Sequence, residues 1–208
     1  GYVLSASFTY AGGILGGLSN YNKIALSASL YRGIWQFGSK EEGNLKNLIL
    51  GVSSEIDLML PQYWLFGDST GWKNPKMGAT KYEMLYIDGM NIGRGFSVVY
   101  DQAFLWNNQV DLTFPLAEDV LSLEAFVSAT GVQSDLEKIN SLSSINWYLA
   151  AGAGIKMEIP GFPLGLYLVK NATIKNNEGW KWQNGSLFSG SGEGSGLSLV
   201  LAITTSIY

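Results

Sequence analysis

The sequence predicts an all-β chain, an antiparallel transmembrane β-barrel with about eight strands in this chain. Three observations carry that expectation. Segment after segment alternates strictly between apolar and polar residues, the period of a strand with one face in an apolar medium. The chain of 208 residues is 47% hydrophobic and 13% aromatic but only 14% charged, below the quarter or so usual for soluble domains. No run reaches the roughly 18 consecutive apolar residues that a spanning helix needs. Residues 1–208 are read as one barrel domain, or the C-terminal half of one.

The first strand sets Tyr2, Leu4, Ala6, Phe8 and Tyr10 on one face and Ser5, Ser7 and Thr9 on the other. The second turns Ile24, Leu26, Ala28 and Leu30 outward and Lys23, Ser27, Ser29 and Tyr31 inward. The third carries Leu48, Leu50, Val52, Ile56, Leu58 and Leu60 opposite Glu55 and Asp57. Charges opposite an unbroken Leu/Ile face suit a wet lumen and a lipid exterior. A long interval, about 61–105, follows with weak alternation and many aromatics, among them Tyr63, Trp64, Phe66, Trp72, Tyr82, Tyr86 and Phe96. Intervals of that length are functional or disordered, and the aromatics argue against plain disorder. It is read as a large extracellular loop.

The fourth strand turns Val110, Leu112, Phe114 and Leu116 outward, and the fifth Leu121, Leu123, Ala125 and Val127, with Glu124, Phe126 and Ser128 inward. The sixth has Trp147, Leu149, Ala151, Ala153, Ile155 and Met157 outward and Gly152 and Gly154 inward; the seventh follows a Pro160–Pro163 turn with Leu164, Leu166 and Leu168 outward. The eighth carries Leu197, Leu199, Leu201, Ile203 and Ile207 on one face. Tight turns after strands four and six contrast with longer polar connections after five and seven, the asymmetry of outer-membrane barrels. Trp35, Trp64, Trp106, Trp180 and Trp182 are read as interfacial girdle residues. The Gly/Ser run 189–196 is either a native loop tip or an engineered shortening.

The absence of Cys and His removes disulfides, thiol nucleophiles, Cys/His zinc sites and a Ser-His-Asp triad. The net charge of −4 gives no basic stripe for nucleic acid. Neither an enzyme nor a cofactor, metal or nucleotide is expected. The chain starts at Gly1, without an initiator Met or signal peptide. An exported protein of that kind is a mature form, a fragment or an engineered piece.

Several motifs stand in order. Gly89-Met90-Asn91-Ile92-Gly93-Arg94-Gly95-Phe96 ends in an Arg-Gly-aromatic tripeptide. Gln109-Val110-Asp111-Leu112-Thr113-Phe114-Pro115 is a strand with an inward acid, closed by Pro. Glu124 to Gly131 follows, then Gly152 to Pro160 with the hairpin Phe162-Pro163-Leu164-Gly165-Leu166. Upstream stand Asn20-Tyr21-Asn22-Lys23 and Tyr31. Together these resemble the BamA-like outer-membrane protein assembly factor family. The likeness covers nearly the whole chain, which corresponds to the C-terminal half of a bacterial family barrel of about sixteen strands. Ser128 stands where the family has Asp, and Gly131 comes one residue late. POTRA domains are missing, so the chain is a fragment, an engineered piece or a naturally short relative.

The resemblance implies a loop, Gly93, Arg94, Gly95 and Phe96, that folds back into the lumen. Its lumen partners would be Asp111 first, Glu124 second, with Ser128 on the same face. A guanidinium between two glycines suits this because its planar fork pairs bidentately with carboxylate. The resemblance also implies a weak seam between first and last strands, where a substrate strand adds to an open edge, and a C-terminal barrel-targeting signal ending in an aromatic residue; Gly196, Leu197, Ile203, Ile207 and Tyr208 are the residues of this seam and signal. The function so implied is assembly and insertion of outer-membrane barrels, located in the bacterial outer membrane. Its partners would be lipids, unfolded outer-membrane proteins, accessory assembly lipoproteins and the missing POTRA domains. The alternative is a small outer-membrane barrel serving as a structural protein, surface antigen or minor pore.

Overall fold

A computed structural model describes residues 1–12, 19–38, 45–61, 78–117, 120–159, 162–176 and 178–203. The chain is all-β and antiparallel. Its strands are β1 (Tyr2–Ala11), β2 (Tyr21–Phe37), β3 (Lys46–Pro61), β4 (Leu85–Ile87), β5 (Val99–Gln102), β6 (Phe104–Ala117), β7 (Leu121–Gln133), β8 (Asn146–Ile159), β9 (Phe162–Lys175), β10 (Gly179–Trp182) and β11 (Ser198–Ile203). The main sheet runs β1-β2-β3-β6-β7-β8-β9-β10, with β11 also on β9. Apart from β3–β6 and β9–β11, the paired strands are consecutive in the chain. The alternation dictates this register. Leu30 stands beside Val52, Val52 beside Val110, Val110 beside Val127 and Val127 beside Ala151. A slip of one residue would turn each of these apolar rows to the other face.

The two faces differ sharply. On β7, Leu123, Ala125 and Val127 are exposed while Ser122, Glu124, Phe126 and Ser128 are buried. On β9, Leu166 and Leu168 are exposed while Tyr167, Val169 and Asn171 are buried. The burial comes from the 78–103 segment, which lies across that covered face and contains the two-stranded β4–β5 sheet. One core joins Met84, Leu85 and Ile87 of the segment to Met59, Leu105 and Val132 of the sheet. A second gathers Phe126, Ala150, Tyr167, Val169, Val200 and Ala202 under Phe96. The expected loop at 61–105 is therefore, over its described part, an inward layer with its own short strands. Those strands are too short to show a period in sequence.

Two corrections concern the last strand and closure. The eighth strand is found as β11, from Ser198, but the connection expected over 175–196 carries a strand piece of its own: β10 pairs with Ala172–Lys175 of β9, β11 pairs with Leu164–Val169, and residues 183–197 intervene. Gly196, at φ +81°, adopts a conformation that other L-residues rarely take. It diverts the chain so that Leu197 pairs with Leu187, not with β9. Lys170 stands opposite this break. Its Nζ donates to the Gln183 carbonyl at 3.1 Å, to that of Gly196 at 2.8 Å and to that of Gly194. Lys170→Met is expected to release the 183–197 insertion, a local loss of about 1–3 kcal/mol. Limited proteolysis should then cut within it several-fold faster, with little change in global unfolding.

The second correction is that the sheet is not closed into a barrel. Among the described residues no ladder joins β1 to β10 or β11. The 78–103 segment fills the side toward which the strands would have to curl. Eight strands close around little more than their own side chains.

Candidate functional site: the Arg94 lock and the β11 edge

The Arg94 turn is built by its own backbone. Asp88 Oδ1 accepts the N–H groups of Met90, Asn91 and Ile92 at 2.8–2.9 Å. Gly89 N–H donates to Ile92 O, Gly95 N–H to Gly89 O, and Phe96 N–H to Gly93 O. Gly93 and Gly95 take φ of +66° and +84°, and a Cβ would stand 2.5 Å from Ile87 Cγ2 at the first and 2.6 Å from Asn171 Oδ1 at the second. Both glycines are thus required by conformation and by space.

This rigid turn delivers Arg94, 5% exposed, to the covered face of the sheet. Its Nη1 donates to Glu124 Oε1 at 2.8 Å. The guanidinium carbon lies 4.5 Å from the Phe126 ring centre and 4.6 Å from that of Tyr167. The two rings meet edge to face at 5.6 Å. Nε makes no hydrogen bond. Asn171 Nδ2 donates to the Arg94 carbonyl at 2.7 Å. Phe96 packs edge to face on Tyr148 at 5.0 Å. An ion pair, two rings and a backbone clamp therefore converge on one residue.

The carboxylate partner is Glu124, and Arg94 makes no ion pair with Asp111. Asp111 lies over Gly51, where a Cβ would meet its carboxylate, and is 3.5 Å from Gln109 Nε2. Ser128 is buried on the same face, and its hydroxyl makes no hydrogen bond to the segment. Of the expected seam residues, Leu197 forms the bridge to Leu187, the Gly196 carbonyl accepts Lys170 Nζ, and Ile203 ends β11. Ile207 and Tyr208 lie outside the described residues.

Phe126, Tyr167 and Asn171 are not among the site residues expected from sequence. One signal for them is present: Gly152, Gly154 and Gly165 are the residues beside those rings. A Cβ at Gly152 would stand 3.0 Å from Phe126 Cε1, and one at Gly154 2.6 Å from Tyr167 Cδ1. Inward glycines next to an inward aromatic indicate a ring lying flat on the sheet.

The root of the segment is tied separately. Glu83 Oε2 accepts the Thr80 N–H and the Ser19 hydroxyl, both at 2.7 Å. These bonds hold the Glu83 carboxyl below its ordinary value of 4.5. A depressed folded-state value means the unfolded chain binds the proton first. The tether is therefore at full strength above about pH 4.5 and is lost as pH falls through the lowered folded value. Amide exchange at Thr80, corrected for its intrinsic rate, should accelerate across that window, and Glu83→Gln should abolish the pH dependence.

Along the open face, aromatics gather at two levels. Trp35 and Phe37 stack at 6.0 Å where β2 ends, with Phe114 edge-on to Phe37 at 5.3 Å. Toward the other end Trp106 and Trp147 are 5.6 Å apart, and Trp180 and Trp182 are 5.2 Å apart. Trp64 lies outside the described residues. Among the described residues no three His, Cys, Asp or Glu side chains cluster as a metal site, and no helix is long and apolar enough to cross a membrane.

Compared with protein-family profiles, curated proteins and solved structures, the chain has no match.

Proposed function

We propose that this chain is barrel wall from a bacterial outer-membrane protein of the BamA-like assembly kind. It would act by offering the edge of its last strand to unfolded outer-membrane barrels. The observation that carries the reading is the segment folded onto one face of the sheet and locked through Arg94, beside a last strand that is broken and, among the described residues, without a ladder on its outer side. A pore would keep that face open; here a packed layer covers it. A strand-adding surface needs an unpaired edge held on a firm wall, and the Arg94 lock supplies the firmness.

The membrane placement is part of the proposal. The open face presents Leu4, Leu26, Val110, Val127, Leu166 and Leu201 to the surroundings, between the two aromatic levels. This is the pattern of a lipid-facing band between interfacial girdles. Its long strands, β1 to β3 and β6 to β9, have 10–17 residues and match or exceed the roughly 9–11 that a tilted strand needs to span. Unpaired backbone groups at a sheet edge are costly in lipid, so the edges at β1 and β11 invite a partner strand there. No cofactor or nucleotide is called for, since strand pairing and burial supply the driving force.

The test is reconstitution in liposomes with a small unfolded outer-membrane barrel as substrate. Folding faster than in empty liposomes is the expected result. No acceleration would overturn the reading, and ion conductance by the same liposomes would favour the minor-pore alternative.

A further inference from the structure

The direction of each backbone group on β11 follows from its neighbours. A Cβ at Gly152 on β8 would stand 2.6 Å from the Leu168 carbonyl oxygen, and one at Gly154 would meet that of Leu166. The even-numbered residues of β9 therefore aim their carbonyls at β8. The Asn171 carbonyl aims the other way, accepting the Gln183 N–H at 2.9 Å. In an antiparallel ladder the two members of each pair face either toward or away from each other. Leu199, Leu201 and Ile203 stand opposite Leu168, Leu166 and Leu164. Their N–H and C=O groups thus point to the outer edge, which carries no ladder among the described residues, and their side chains to the open apolar face.

A strand that fits this edge runs antiparallel to β11. It carries apolar side chains on the residues whose backbone groups meet Leu199, Leu201 and Ile203. The chain's own β1 has that phase. Gly1 and Tyr31 exchange both backbone bonds, at 2.6 and 2.8 Å. The groups of Tyr2, Leu4, Ala6, Phe8 and Tyr10 accordingly face away from β2, and these same residues form its apolar face.

One of the three edge residues is already engaged. Asn91, at the tip of the Asp88 turn, donates from Nδ2 to the Ile203 carbonyl at 3.1 Å. The tip is not free to drift, because three N–H groups hold it to Asp88 and Arg94 anchors it to Glu124. We propose that Asn91 is a latch on the seam: its carboxamide holds the Ile203 carbonyl and withholds the C-terminal end of the β11 edge from an incoming strand. The same inward segment then both stiffens the wall and sets how much of the edge is open. The latch rests on the reading of this edge as a strand-receiving surface. It adds a specific competitor to that surface, one that a substrate strand must displace.

The probe is a fluorescent peptide with the sequence of Tyr2–Ala11, titrated against the full chain in phosphatidylcholine liposomes. Wild type is compared with Asn91→Ala and with Asn91→Asp, which lacks the donor. Removing one competing hydrogen bond is expected to tighten peptide binding about two- to ten-fold and to move the Ile203 carbonyl ¹³C resonance. Equal or weaker binding by both variants, or an unmoved Ile203 resonance, overturns the latch and leaves the strand-receiving edge standing. No binding by wild type or either variant overturns the receiving edge and the latch with it.

Discussion

Arg94→Ala is expected to destabilise the fold by about 3–5 kcal/mol, because breaking a buried ion pair leaves its partner charged and unpaired. Glu124 is 6% exposed, so removing the guanidinium leaves its carboxylate buried without its ionic partner. The loss of the cation–π contacts with Phe126 and Tyr167 adds to this. The measurement is a urea unfolding midpoint in detergent micelles, with heat-modifiable migration on gels as a second readout. Arg94→Lys separates the contributions. It keeps a positive charge but loses the planar guanidinium that lies near both rings, so an intermediate midpoint is expected.

The double variant Arg94→Met/Glu124→Leu is the sharper comparison. A buried pair replaced by apolar residues of similar volume is often neutral or stabilising. The double variant should therefore be more stable than Arg94→Ala. A single variant with unchanged midpoint, migration and assembly would sink the lock.

Gly154→Val is the second large effect, and here two principles predict opposite signs. Val has the higher strand propensity, with a span of about 1 kcal/mol across the scale. Against that, a Cβ at Gly154 meets the Leu166 carbonyl and stands 2.6 Å from Tyr167 Cδ1. The first obstacle is backbone and cannot rotate away. The second is a fully buried ring that also lies over Gly165 and forms one wall of the Arg94 cage. Overpacking costs typically about 1–3 kcal/mol, and displacing Tyr167 loosens the cation's seat as well. A net loss of about 2–4 kcal/mol is expected. Unfolding of Gly154→Val beside Gly154→Ala, in the same micelles, checks it. Gain of stability by Val would mean that the ring does not rest on the glycine.

The two effects should not add. Arg94 and Gly154 act through the same ring, and residues sharing a partner couple by about 0.5–3 kcal/mol. In an Arg94→Ala background the cost of Gly154→Val should shrink, since Tyr167 no longer has a guanidinium to support.

How much of this is legible in the chain differs from element to element. The strands β6 to β9 are, because Leu121, Leu123, Ala125 and Val127 alternate with Ser122, Glu124, Phe126 and Ser128, and only a strand separates such a set onto two faces. An inward Arg94 is what the family resemblance implied; the flanking glycines by themselves only permit a close backbone approach. That its partner is Glu124 and not Asp111 is not legible. The two carboxylates sit on neighbouring strands of one face, and the choice depends on where a long segment lands across the sheet. The break in the last strand has one sign in the sequence. Lys170 continues the outward row of Leu164, Leu166 and Leu168, and a lone cation there calls for acceptors laid over it.

By itself, then, the sequence determined what local chemistry determines: strand type, face, phase and the need for glycine around Arg94. Period-two patterning acts on neighbouring residues and survives without knowledge of the whole. The tertiary structure alone decided the partner of Arg94, the ring cage, the split of the last strand into β10 and β11, and the sheet left open between β1 and β11. Each of these is a relation between residues far apart in the chain. Such relations are chosen by space and burial across the sheet, where several inward carboxylates, aromatics and edges compete for one segment.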